Sequence, residues 1–111
     1  MEIKKFRDEK NLTVALIGRL DAVTAIELDK DLSKEISGVE DLTVDLKELD
    51  YIASAGLRIL LKLKKRLDSS QGSMKVINLN NEVRDVMDMT GFSSLLLPDE
   101  EKKFSGFSVE F

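Results

Sequence analysis

Apolar positions recur along the chain in two periods, one of two residues and one of three to four, and their alternation marks out the elements. "EIKKFR" reads as an edge strand whose lysines blunt its open side. "DEKN" reads as a turn, and "LTVALI", Leu12 to Ile17, as a mostly buried strand that Gly18 ends. "DLTVDL" alternates Leu42, Val44 and Leu46 with polar neighbours, the period of a strand with one face covered. "MKVIN" gives one further strand, and "SSLLLP" is the candidate for a last one.

Between the strands the period lengthens. In "TAIELDKDLSKEI", Ala25, Leu28, Leu32 and Ile36 form one apolar stripe. Thr24 and Glu27 have the spacing of a capping box, and Gly38 stands where a helix end favours glycine. A second helix is expected from about Ser54 to Leu67. Its apolar face is Leu57, Leu60, Leu61 and Leu67, widened by Ile59 and Leu63, with Arg58, Lys62, Lys65 and Arg66 on or near the opposite face. "NEVRDVMDMTG" predicts a short helix capped by Asn80 or Asn81, with Val83, Val86, Met87 and Thr90 facing inward and Gly91 as its stop. Met74, Met87 and Met89 read as core or near-core filler. The tail 99–111, "DEEKKFSGFSVEF", fits neither period.

The predicted order is strand, strand, helix, strand, helix, strand, helix, then the candidate last strand. Such alternation implies an α/β fold: a mixed, largely parallel sheet of four to five strands packed by three or more helices. In open sheets of this kind the loops after the strands' C-terminal ends carry function. Two such loops are "GRLDAVTA", after the second strand, and "KELDYIASAG", after the third.

Composition narrows the chemistry. A chain of 111 residues, 42% apolar and 34% charged, suits one globular domain spanning 1–111. The net charge of −4 carries no long run of one sign, which argues against nucleic acid as a partner. Cysteine is absent, which excludes disulfides and thiol chemistry. Histidine is absent too, removing the commonest general base and zinc ligand and with them any serine–histidine triad. "MEIKKFRDEK" is too polar for a secretory leader, and no apolar run approaches the ~20 residues of a membrane span. A cytoplasmic protein with no membrane partner is expected. Asp21, Asp45 and Asp50 could be drawn around a magnesium ion, as in an enzyme or a receiver-type phosphoacceptor. The adjacent acidic pair and late lysine of receiver domains are missing, as is any Walker-type phosphate loop.

The two loops, in that order and spacing, resemble the STAS domain family (sulfate transporter and anti-sigma factor antagonist). "GRLDAVTA" looks like the family's G-x-L-D loop, and "VDLKELDYIASAGLRILL" looks like its core, "LDLxxLxxxDSSGL". The third helix with "MTGF" is similar to the family's C-terminal pattern, so the resemblance runs from about Leu12 to Leu97.

That resemblance implies an anti-sigma factor antagonist, a binding module rather than an enzyme, with no cofactor, catalytic residue or metal. In the family's bacterial single-domain members a serine kinase, often itself the anti-sigma factor, phosphorylates one serine at the start of the second helix. The unphosphorylated antagonist binds that kinase and frees the sigma factor, and a PP2C-type phosphatase resets the cycle. The family's serine stands two residues before the glycine of S-x-G-L, which here is Ser54, followed by Ala55 and Gly56. Ala53 stands where the family often has aspartate, and Asp21 is the aspartate of the G-x-L-D loop. The implied partner surface is Asp21, Ala53, Ser54, Ala55, Gly56, Leu57, Arg58 and Lys62. An alternative within the family is a phosphorylation-independent scaffold or accessory subunit of a transporter or signalling complex. Without the resemblance, Ser54 is a helix N-cap worth ~1 kcal/mol. Asp21 is then an ordinary turn or pre-helix residue, and the basic stripe a solvated helix face.

Overall fold

The chain opens with a hairpin: β1 (Glu2–Asp8) runs antiparallel to β2 (Asn11–Leu20), with Ile3 opposite Leu16 and Lys5 opposite Val14. The computed structural model describes residues 1–97, so the expected tail over 99–111 lies outside the described residues. After the hairpin come α1 (Ala22–Glu35), β3 (Asp41–Asp45), β4 (Leu49–Ile52) and α2 (Ser54–Ser69). The described part ends with β5 (Ser73–Ile77), α3 (Asn81–Thr90) and α4 (Ser93–Leu96). The sheet order is β1-β2-β3-β5, with β4 joined to β2. Every pairing but β1–β2 is parallel. The expected α/β class and mixed, largely parallel sheet are what the chain forms.

The pleat places Leu12, Val14 and Leu16 of β2, Leu42 and Val44 of β3, and Met74 and Val76 of β5 on one buried face. Leu28 and Leu32 of α1 and Leu57, Leu60, Leu63 and Leu67 of α2 close over it. The alternate residues Thr13, Ala15, Thr43 and Asp45 are only half covered, as expected of a sheet with helices on one side.

Six local expectations change. Gly18 does not end β2: it takes φ +106° at a register shift, and the strand continues through Arg19 and Leu20 to pair with β4. A bulge lets one strand serve two partners, β3 along its first half and β4 at its end. The stretch expected to be a loop, "KELDYI", therefore contains a strand. Its buried residues Leu49 and Ile52 are three apart, so no two-residue period announces it.

The capping box of α1 is Asp21 with Thr24, three residues earlier than Thr24 with Glu27. "SSLLLP" gives no strand over its described residues. A single helical turn instead buries Ser93 and Leu96 together against α2 and α3 while Leu95 stays exposed. Three consecutive leucines fit either period, and only the docking surface decides. In α3, Val83 and Met87 are buried, Val86 is half-buried, and Thr90 turns outward. Met89, expected in the core, is 85% exposed.

Candidate functional site

β2 and β4 run parallel and stop side by side, Leu20 paired with Ile52. The Ala53 N–H donates to the Leu20 carbonyl at 2.9 Å. Asp21, the cap of α1, follows Leu20; Ala53, the cap of α2, follows Ile52, and Ser54 is that helix's first residue. Two helix N-termini thus leave the sheet together, which brings the two expected loops to one place.

Asp21 is fully engaged in starting its helix. Its Oδ1 accepts the N–H groups of Val23 and Thr24, each at 3.0 Å, and its own N–H donates to the Thr24 hydroxyl at 2.8 Å. These bonds, the Thr24 N–H first, then the Thr24 hydroxyl, the Val23 N–H and the charge of Arg19, hold its carboxyl below the usual range.

Ser54 is not the cap of α2. That position belongs to Ala53, whose side chain can accept nothing. The first helical bond is Leu57 N–H to the Ala53 carbonyl at 3.1 Å, so the first-turn N–H groups before it have no acceptor within the helix. Ser54 itself is exposed, and its hydroxyl makes no hydrogen bond among the described residues. Ala55 is half-buried.

Gly56 and Leu57 lie beneath the surface rather than on it, both buried. A β-carbon at position 56 would sit 2.5 Å from Leu20 Cγ and 3.1 Å from the Leu20 carbonyl oxygen. Glycine is what allows α2 to begin this close to the end of β2. These two residues shape the surface from behind.

The basic side chains divide. Lys62 Nζ pairs with Asp29 Oδ2 on α1 at 3.0 Å, and Arg66 donates to the Ser33 carbonyl at 3.3 Å. The Lys62 bond, followed by the Ser33 hydroxyl and the charges of Lys62 and Arg66, lowers the Asp29 carboxyl from its usual range. Arg58, one turn nearer Ser54, is exposed and makes no ion pair among the described residues. Asp45 accepts from Asn78 and from the Lys47 N–H. No group of three His, Cys, Asp or Glu side chains among the described residues is placed to hold a metal ion.

Four surface residues around this point escaped sequence reasoning. Arg19 stacks over the Tyr51 ring at 4.2 Å, at the shared end of β2 and β4. Val23 and Ile26 stand exposed on α1, at 67% and 58%. The signal was present: two branched apolar residues off the Ala25–Leu28–Leu32 stripe, in the turn just after Asp21.

Comparison with known proteins gives one consistent picture. Residues 2–104 match the family model for the STAS domain. BtrV of Bordetella bronchiseptica, a candidate anti-sigma factor antagonist, is 35% identical over 85 residues, covering 76% of this chain and 73% of BtrV. The anti-sigma factor antagonist SpoIIAA in its unphosphorylated form shares the fold with a TM-score of 0.77 at 18% identity, over 98% of this chain and all of that one. The Bacillus cell fate determinant SpoIIAA in its phosphorylated form aligns with a TM-score of 0.70, also at 18% identity, over 91% of this chain and 96% of that one. Among the described residues, no helix is long and apolar enough to cross a membrane.

Proposed function

The chain belongs to the STAS domain family, and we propose that it is an anti-sigma factor antagonist whose binding is switched off by phosphorylation of Ser54. Unphosphorylated, it sequesters an anti-sigma factor that is also a serine kinase, and a sigma factor is released. The observation that carries this reading is the setting of Ser54: an exposed hydroxyl without a hydrogen bond among the described residues, flanked by Ala53 and Ala55, on a helix whose N-terminus has no side-chain cap. The relatives' names support it, and SpoIIAA is known in both unphosphorylated and phosphorylated forms.

In the transfer step the Ser54 oxygen bonds to the γ-phosphorus of ATP, ADP leaves, and the hydroxyl proton goes to a base of the kinase. A PP2C-type phosphatase reverses the state by hydrolysis, water replacing the serine oxygen and inorganic phosphate departing. The phosphate adds about −1.5 to −2 charges beside Asp21. The free N–H groups of the first turn of α2 can donate to it without unfolding the helix. A partner docked over a small hydroxyl then meets charge repulsion and a desolvation cost, which is sufficient for a switch.

The test is incubation with the cognate kinase and ATP, read by mass spectrometry, with Ser54→Ala as control. Phosphate on wild type and none on Ser54→Ala supports the assignment; equal labelling of both defeats it. Ser54→Asp should bind the anti-sigma partner at least tenfold more weakly. Unchanged affinity would transfer the reading to a phosphorylation-independent scaffold.

A further inference from the structure

α1 and α2 run parallel and are tied rung by rung. Asp29 meets Lys62, and the Ser33 carbonyl meets Arg66, both with an offset of 33 residues between partners. The hydrogen bond from Ala53 to Leu20 at the strand ends repeats that offset. Carried one turn from Asp29 and Lys62 toward the N-termini, it sets Arg58 opposite Ala25, beside Ile26, and Ser54 opposite Asp21. The ladder of polar ties stops at that rung. Ala25 is buried and cannot pair with Arg58, and the exposed large apolar neighbours on α1 are Val23 and Ile26.

We propose that Val23 and Ile26, with Arg58 across from them, form the anchor by which the anti-sigma serine kinase grips this protein while Ser54 is unphosphorylated. The inference rests on the proposed function and adds the contact that supplies affinity. The occupant follows from size. A standard interface covers about 800 Å² per partner, a disc of roughly 16 Å radius. Helices pack 8–10 Å apart and rise about 1.5 Å per residue, which puts Ile26 roughly 12 Å from Ser54 and Val23 nearer. A partner centred on Ser54 with an interface of ordinary size therefore covers both. Apolar side chains desolvated under a partner, with an arginine beside them, exclude water and add affinity. Its chemistry is set as well: an apolar recess facing Val23 and Ile26, bordered by a carboxylate facing Arg58. The outer face of the same helix further on carries Glu27, Lys30 and Lys34 and offers no such anchor.

The experiment uses the full chain and the purified serine kinase that transfers phosphate from ATP to Ser54. Binding of unphosphorylated wild type is compared with the double variant Val23→Gln and Ile26→Gln, with Arg58→Glu, and with Met89→Gln as an exposed apolar control elsewhere. Thermal midpoints are measured alongside, since all four side chains are exposed. The expected result is a loss of at least tenfold in affinity for the double variant and for Arg58→Glu, with unchanged midpoints and no change for Met89→Gln. Wild-type affinity in the double variant, with Ser54 still labelled and still controlling binding, overturns the anchor and leaves the proposed function standing. If no serine kinase labels Ser54 and no anti-sigma factor binds wild type, the proposed function falls and the anchor with it.

Discussion

Gly56 lies against Leu20 so closely that a β-carbon at position 56 would fall 2.5 Å from Leu20 Cγ. Leu20 is fully buried and cannot step aside, so Gly56→Ala must push α2 off the end of β2. Overpacking of this kind costs about 1–3 kcal/mol, and urea denaturation should register it. Ser54→Ala, two residues away on the exposed side, should stay within about 0.5 kcal/mol of wild type. The contrast separates what positions Ser54 from Ser54 itself.

Asp21 should leave a pH signature. A carboxyl whose folded-state pKa lies below its unfolded value adds stability above the unfolded value and loses it as pH falls through the folded one. The bonds from the Thr24 and Val23 N–H groups put Asp21 in that class. Asp21→Asn keeps a capping oxygen without the charge. The difference between wild type and Asp21→Asn should therefore be flat near neutrality and shrink as pH falls through and below the ordinary carboxylate range. Urea midpoints across that range test this; a difference that grows on acidification would contradict it. Asp21→Ala, which removes the acceptor altogether, should be less stable than Asp21→Asn at neutral pH.

The sheet strands with a clean two-residue period, β2 and β3, and the apolar stripes of α1 and α2 were legible in sequence because burial on one face writes that period directly. Ser54 was legible only through family resemblance. Its residue type and spacing alone pointed to a cap, and the cap is Ala53. β4 was illegible for a different reason: its existence depends on the bulge at Gly18, which frees the last three residues of β2 to pair with it. Val23 and Ile26 were visible as off-stripe apolar residues. Their meaning required the neighbouring helix, because only the offset between α1 and α2 places them beside Ser54.

Met87 and Met89 look equivalent in sequence and should behave oppositely. Met87 is fully buried, and Met87→Ala should cost about 2–5 kcal/mol through lost burial and the cavity left behind. Met89 is 85% exposed, and Met89→Ala should fall within about 0.5 kcal/mol of wild type. Chemical denaturation of the two variants side by side decides it.

Lys62, part of the implied partner surface, also ties α1 to α2 through Asp29 at 3.0 Å. Lys62 is exposed and Asp29 half-buried at the surface, so a double-mutant cycle with Asp29→Ala and Lys62→Ala should give a coupling of only about 0.2–1 kcal/mol. Added salt should shrink it. Because Lys62 lowers the Asp29 carboxyl, the coupling belongs to the charged form and should vanish as acid protonates Asp29. A coupling that survives both salt and acid would mean packing rather than charge joins the helices here.

Two effects compete when negative charge is placed at Ser54. The first turn of α2 offers N–H groups without an acceptor and contains no acidic residue, and a negative charge in that turn typically adds 0.3–1 kcal/mol at low ionic strength. Against this stands Asp21, the residue following the strand end that pairs beside Ala53. Its charge is already spread over two N–H bonds at the start of α1, and both groups face solvent, where charges attract or repel weakly. The helix term wins. Ser54→Asp and the phosphorylated protein should therefore be as stable as wild type or more so, by up to about 1 kcal/mol at low salt, with the gain fading as salt is added. Thermal and urea unfolding of the three species reads this directly. A phosphorylated form less stable than wild type would mean that Asp21 repulsion dominates, and loss of partner binding would then reflect disruption of α2 rather than a charge placed on an intact surface.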